Sequence, residues 1–386
     1  IIRDINECIK EIASGQCILI FDGKRFAFSF GVQKFEKRAI QEPPTSTVIK
    51  GPREGFVESL TVNLSLLRRR IKSEKLVVEN YTVGKTSCTP LSIVYISNAV
   101  DKKLLKQIRD KIKKIDIEWV LDSSYVSKYL SEHKTALFKQ IGNTEKPDIL
   151  ASKILEGRIA IFVDGSPIVL TVPYLLIEDF QSPSDYYNST YSATFTRLIR
   201  TFAVILSLLL PSVFVASELF HLQLIPLSFL LTLVNSIKGI PLSPSYEMFF
   251  TLFIFEILNE ASVRMPKYVG MVVSIVGGLV LGETAVNAGI ISAPTLMIVA
   301  FSGICLYTVP ELVQNFSIIR LLLLAVAGSF GLYALIATLA ILIVYLVTLV
   351  SFVTPLCAPY SPIVVNVLKD GVVIGFITDQ KQLPLS

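Results

Sequence analysis

The stretch MFFTLFIFEILNEASVRMP (residues 248–266) opens as an apolar run and then admits Glu256, Asn259, Glu260 and Arg264. On a helix each residue turns by about 100°, so Glu256, Glu260 and Arg264, at i, i+4 and i+8, form one stripe with Asn259 at its edge. Ile254, Ile257, Leu258 and Ala261 point elsewhere. A charged group inside a bilayer is costly unless it is paired or hydrated, so such a stripe in a membrane helix faces protein or water. Two readings stand: an internal ion-pair network that fixes helix orientation, or a stripe bordering an ion path or a contact between subunits. Glu283 and Glu311 invite the same two readings.

The surrounding composition favours a membrane for this stretch. The 386 residues are 52% hydrophobic and 17% charged, but the charges are unevenly spread. Of 36 Lys and Arg, 30 fall in residues 1–200, as do 23 of 31 Asp and Glu. The first half therefore reads as a soluble region and the second as a membrane region. The expected fold class is an α/β (α+β) cytoplasmic region followed by an α-helical polytopic membrane domain. Arg197 and Arg200 precede the first apolar span, which places the soluble half in the cytoplasm by the positive-inside rule. The opening IIRDINECIKEIASG is too charged for the apolar core of a secretory signal. A start at Ile1 without methionine reads as an N-terminal truncation.

Within the soluble half, IASGQCILIFDGKRFAFSF (12–30) and ILEGRIAIFVDGSPIVLTV (154–172) repeat one pattern. In each a short helix ends at a glycine (Gly15, Gly157), and an apolar run, an Asp-Gly turn and a second β-rich run follow. Asp-Gly between two such runs predicts a hairpin. Between them the pattern predicts a helix near 53–72 with Phe56, Leu60, Leu64, Leu67 and Ile71 on one face. A strand over 91–97, a helix over 101–114, a strand near 117–121 and a helix from about Ser124 complete the region. The polar QSPSDYYNST (181–190) reads as a linker. The expected divisions are 1–150 for the α/β subdomain, 151–200 for the second hairpin and linker, 201–355 for the transmembrane domain and 356–386 for a C-terminal tail.

The apolar half divides at prolines, glycines and charges into 201–220, a short 224–237 carrying Pro226, 245–265, 268–288, 292–313 and 317–353. The last, at 37 residues, is about 55 Å long as one helix, against roughly 30 Å of hydrocarbon. It is either tilted or broken near Gly328–Gly331, and four to six crossings are expected. Gly278 and Gly282 make a GxxxG pair, read as close helix packing rather than as a nucleotide loop.

Several chemistries are excluded. Five scattered cysteines and two histidines supply no metal-ligand spacing, and no P-loop, GxSxG or HExxH is present. No cofactor and no enzyme activity are expected. The lysines of DKKLLKQIRDKIKKID lack aromatic interleaving and read as solvated faces, not as a nucleic-acid site. In GPREGFVESLTVNLSLLRRRIK (51–72), Gly51, Pro52, Arg53 and Glu54 lead into a helix ending in Arg68, Arg69 and Arg70. Those cations could bind phosphate, but at a helix C-terminus they also favour the macrodipole, and the structural reading is preferred.

These segments, with NTEKPDILASKILEGRIAIFVDGSPIVLTVP, QSPSDYY, FEILNEASVRMP, SIVGGLVLGETAVNAGIIS and APYSP, resemble the A subunit of GerA-type spore germinant receptors. The match runs in the family's order from about Gly15 to Asp370. The resemblance implies a multi-pass protein of the endospore inner membrane, in contact with lipid and partnered by a transporter-like B subunit and a lipoprotein C subunit. It also implies a homo-oligomer that releases monovalent cations when germination is triggered. The family's membrane carboxylates and arginine fall on Glu247, Glu256, Glu260 and Arg264, and its packing glycines on Gly277, Gly278 and Gly282. The chain departs from the family at Lys238, Asn259, Thr284, Asn287 and the tail. Two other readings remain open. One is a paralogue resembling stage V sporulation protein AF, without its own nutrient receptor; the other is a secondary transporter, for which no inverted repeat is visible.

Overall fold

The computed structural model describes residues 51–265 and 277–362, together with 17–23, 26–30 and the isolated positions 4, 5, 8, 9, 12, 269, 270 and 275. Gly15, Pro266 and the expected tail from residue 363 lie outside the described residues. The chain divides into two compact units, Ile1–Ala193 with Thr348–Ser386, and Thr194–Val347.

The first unit is α+β. Both Asp-Gly hairpins form: β1 (Cys17–Ile20) pairs antiparallel with β2 (Ala27–Phe30), and β6 (Ile159–Val163) with β7 (Val169–Val172). The second hairpin sits inside a five-stranded sheet with β3 (Leu76–Val83), β4 (Thr89–Ile96) and β5 (Gly142–Thr144), in the order β3-β4-β6-β7-β5. Every neighbouring pair is antiparallel, which settles α+β over α/β for this unit.

Period-two alternation lets each central strand serve two cores. On one face Ile93, Tyr95, Ile159 and Ile161 pack under α2 (Lys102–Lys113) and α3 (Ser123–Leu130). On the other, Val94, Ile96, Ala160 and Phe162 pack under α1 (Leu60–Arg70) and α4 (Pro147–Leu155). Both faces are thus covered by helices.

Two local expectations need correction. The first helix begins at Leu60 rather than near 53, because the Asn63 side chain holds the Val57 N–H (2.8 Å) and carbonyl (2.5 Å) in an extended approach. Its first amide, Leu60 N, donates to Asp164 Oδ1 of the distant hairpin turn at 3.0 Å. Residues 117–121 form no strand. Their Ile117 and Glu118 carbonyls instead accept bonds from Lys85 N and Thr86 N of the β3–β4 turn. The segment expected as a linker contains a short helix, α5 (Pro183–Tyr187), closed by a capping box between Ser182 and Asp185.

The chain returns to this unit after the helical region. Strands β8 (Val350–Ser351) and β9 (Thr354–Pro355) make a small hairpin, and Phe352 at its tip is buried in the core beneath α2. Ser351 Oγ donates to the Gln140 carbonyl (2.6 Å) and accepts from Tyr174 N (2.9 Å). Leu176 N donates to the Leu356 carbonyl at 2.9 Å.

The second unit is helical: α6 (Thr190–Phe220), α7 (Leu227–Ile237), α8 (Pro244–Arg264), α9 (Gly282–Asn287), α10 (Ala293–Leu306) and α11 (Val313–Thr348). Phe214, Leu233, Met248, Leu252, Ile298 and Leu324 form its core. Among the described residues two helical stretches, Thr190–Phe220 and Pro310–Thr348, are long and apolar enough to cross a membrane, and the apolar helices α7 and α10 are shorter. Helix α11 is broken at Gly331, whose φ of 75° and ψ of −163° leave the helical region. Only glycine tolerates that φ without strain, and a Cβ there would lie 3.1 Å from the Phe220 ring.

Candidate functional site

The polar groups of α8 go to three different places. Glu247, in its first turn, is buried and accepts from both the N–H and the hydroxyl of Ser292, each at 2.7 Å. Ser292 is the N-cap of α10, and its Oγ lies 2.9 Å from the Thr295 hydroxyl. A carboxylate at that helix N-terminus satisfies an amide the helix itself leaves open and complements its dipole.

Nine residues on, Glu256 does not join Glu260. Its carboxylate receives the guanidinium of Arg320 from α11. Arg320 is wholly buried, donates to Ser302 Oγ of α10 at 3.3 Å, and lies 5.7 Å over the Phe255 ring. Its Nε is buried without a hydrogen-bond partner among the described residues. Three helices thus meet at one arginine.

The rest of the stripe is a local pair. Arg264 Nε donates to Glu260 Oε1 at 2.6 Å, with side chains 78% and 61% exposed. Asn259 is half-buried, and its backbone carbonyl accepts from Ser262 Oγ at 2.8 Å. The stripe divides because four residues overshoot a full turn by about 40°, so Glu256 and Arg264 differ by about 80° around the axis.

The glycines also divide. A Cβ on Gly277 would come 2.9 Å from Leu258 Cδ2 of α8, and one on Gly282 would come 3.2 Å from Leu296 Cδ2 of α10. Gly278 faces open space among the described residues. Residues Gly277–Leu281 form a π-helical turn, whose wider i→i+5 bonding shifts the packed spacing from four residues to five.

In the first unit, Glu54 neutralises two of the three arginines: Arg70 Nη2 donates to it at 2.9 Å and Arg69 pairs with its other oxygen. Burial alone would raise the Glu54 pKa, but the two guanidiniums bring it below its ordinary value. Arg68 stays exposed and borders a shallow depression of about 310 Å³ with Thr61, Ser65 and Asn80. Gly51, at φ 123°, lies under the Tyr187 ring, where a Cβ would approach Cε2 to 2.6 Å. Pro52 beside it is half-buried and Arg53 is exposed. Two of the three helix-end arginines are thus paired with Glu54, and Arg68 is left exposed.

Sequence reading missed Arg320. The available signal was its isolation, the one basic residue between Lys267 and Lys369, since a lone guanidinium in an apolar helix requires a partner. Among the described residues no group of three or more His, Cys, Asp or Glu could hold a metal ion.

The family described as Bacillus/Clostridium GerA spore germination protein matches residues 1–385. The chain belongs to the GerA spore germination protein family. Its sequence is that of a GerA-type receptor A subunit, as the motifs at 51–72 and 255–266 implied. This GerA-family chain is 37% identical to spore germination protein KA of Bacillus subtilis (strain 168) over 368 residues, 95% of this chain and 68% of that protein. It is 35% identical to the uncharacterized membrane protein YfkQ of the same organism over 361 residues, 93% of this chain and 70% of that one. Among solved structures, the N-terminal domain of the A subunit of the Bacillus megaterium spore germinant receptor GerK3 is 34% identical, covering 44% of this chain and 60% of that one, at a TM-score of 0.34.

Proposed function

We propose that this GerA-family chain works as the membrane-embedded A subunit of a nutrient germinant receptor, and that its copies assemble to form or gate a path for monovalent cations. It crosses the endospore inner membrane four to six times, keeps its α+β unit on the cytoplasmic side, and works with a transporter-like B subunit and a lipoprotein C subunit. The observation that carries the reading is the polar set inside an otherwise apolar helical unit. Buried Arg320 ties Glu256 and Ser302 together, while the Glu260–Arg264 pair stays open on the outside. Charges retained at such cost in a membrane mark ion paths or protein contacts. An exposed ion pair on a membrane helix calls for water or a neighbouring subunit.

The test is conductance. The purified chain, reconstituted alone and with its B and C partners, is expected to pass monovalent cations, with Glu260→Gln changing cation preference while assembly persists. A reconstituted complex that assembles and responds to nutrient without any cation current would refute the pore assignment.

A further inference from the structure

The five-stranded sheet has an open edge beside Arg68. Strand β3 ends the order β3-β4-β6-β7-β5, and among the described residues no strand pairs with its outer side. The register fixes which groups face outward. Ser97 N donates to the Lys75 carbonyl at 3.0 Å, so the odd-numbered residues of β3 bond to β4. Asp164 N donates to the Pro90 carbonyl at 3.0 Å, which turns Pro90 toward β6 and leaves its partner Thr82 facing outward. The N–H and C=O groups of Val78, Asn80 and Thr82 therefore point to the free edge, and none has a hydrogen-bond partner among the described residues. Nothing in the strand blunts this edge: it carries no proline, and its one charge, Glu79, is turned to the other face and held by Arg109.

The even-numbered side chains of β3 lie on the face under α1, where Leu76 and Val78 pack against the core. A depression of about 310 Å³ runs between strand and helix, lined by Val78 and Asn80 from β3 and by Thr61, Leu64, Ser65 and Arg68 from α1. Leu64 and Val78 make it apolar in part, and Arg68 is the one charged residue of the six. Glu54 is committed to Arg69 and Arg70, and Arg68 joins no hydrogen bond or ion pair among the described residues. The neighbouring charges do not cancel it. Lys72, one turn on, and Lys75 are exposed with Glu74 in the turn into β3, so this end carries three cations against one carboxylate. Glu58 is exposed before the start of α1, ten residues or about 15 Å of helix from Arg68.

We propose that this groove takes an extended acidic peptide from a partner protein, which adds to β3 as a further strand and sets a carboxylate on Arg68. Backbone bonds to Val78, Asn80 and Thr82 hold the peptide, and its side chains at alternate positions fall on the groove side. Those positions are about 6.6 Å apart, close to the rise of about 6 Å from Leu64 to Arg68. An apolar residue over Leu64 and Val78 thus places an Asp or Glu two residues away on Arg68, whose fork suits a carboxylate. A second copy pairing edge to edge does not meet this need. On that face it brings α1 with Leu76, Val78, Asn80 and Thr82, which hold no carboxylate. The groove lies within the α+β unit, and the proposal is independent of any cation path.

The test titrates the detergent-solubilised full chain with a fluorescent peptide of alternating threonine and valine that carries one aspartate. Anisotropy reads binding, and hydrogen exchange reads the β3 amides. The aspartate peptide is expected to bind about tenfold more tightly than its asparagine twin, and to slow exchange at Val78, Asn80 and Thr82. Arg68→Gln, an exposed change that leaves the fold intact, should remove the preference for aspartate. N-methylation of the peptide amides that face β3 should abolish binding. Equal binding of both peptides overturns the carboxylate assignment, and binding that survives N-methylation overturns strand addition. Edge amides protected without peptide and opened by dilution assign the edge to a second copy, and protection that persists on dilution assigns it to another part of this chain; either overturns the proposal. So does a chain whose edge amides exchange freely and which binds neither peptide.

Discussion

The guanidinium of Arg320 and the carboxylate of Glu256 form an ion pair across 64 residues of sequence, with Arg320 wholly buried between α8, α10 and α11. Removing one partner leaves the other buried without compensation, a loss of about 3–5 kcal/mol. Arg320→Ala or Glu256→Ala is therefore expected to lower the unfolding stability of the detergent-solubilised protein by that amount, and the double variant to recover part of it. The exposed Glu260–Arg264 pair is worth about 0–1 kcal/mol, so Glu260→Ala should be nearly silent in the same denaturation series. Equal losses at Glu260 and Glu256 would contradict this division.

Glu247 is expected to anchor α10. Glu247→Ala strands the buried Ser292 amide and should cost about 1–3 kcal/mol, whereas Glu247→Gln keeps an acceptor and should restore most of it. Hydrogen exchange at the first amides of α10 provides the check: protection should fall in the alanine variant and return in the glutamine one.

The two adjacent glycines should behave oppositely. A side chain at Gly277 meets Leu258 at once, while one at Gly278 meets nothing among the described residues. Gly277→Leu is expected to reduce the yield of folded protein, with Gly278→Leu leaving the isolated chain intact. If Gly278→Leu instead removes higher oligomers in native mass spectra, its open face is a subunit contact.

Acid should loosen the α+β unit through its paired carboxylates. Hydrogen bonds from Arg109 hold the Glu79 pKa at about 2, helped by the Tyr95 and Tyr81 hydroxyls and opposed by burial. For Glu178 burial pushes upward, but Arg158 and Lys153 outweigh it and the net direction is down. A folded pKa below the unfolded one means stability that is complete above about pH 4.5 and is lost as pH falls toward about 2. Trp119 emission during acid titration should follow that loss. Glu79→Gln should be less stable at neutral pH and show a shallower acid slope; an unchanged slope would remove Glu79 from the account.

The proposed topology has its own test. A cysteine placed at Lys102, the exposed start of α2, should resist an impermeant thiol reagent applied to the outer face of intact membranes. Ready labelling from that side would place the α+β unit on the wrong face.

Much of this architecture was legible residue by residue. The collapse of charge after residue 200 separates the two halves, and the Asp22-Gly23 and Asp164-Gly165 turns mark both hairpins. The spacing of Leu60, Leu64, Leu67 and Ile71 marks the face by which α1 packs on the sheet. The motifs that reveal the family are contiguous strings. Each of these depends on neighbours within a turn or a hairpin, where chain geometry limits the choices to a few. Tertiary structure alone decided that Asp164 caps α1 and that Phe352 returns to the core beneath α2. It also chose the break at Gly331 from the two alternatives the sequence left for α11, and turned Glu256 from its own stripe to Arg320. Those outcomes follow from the need to satisfy buried amides, charges and apolar surface with whatever the folded chain brings within reach, and the partners that do so lie tens to hundreds of residues away.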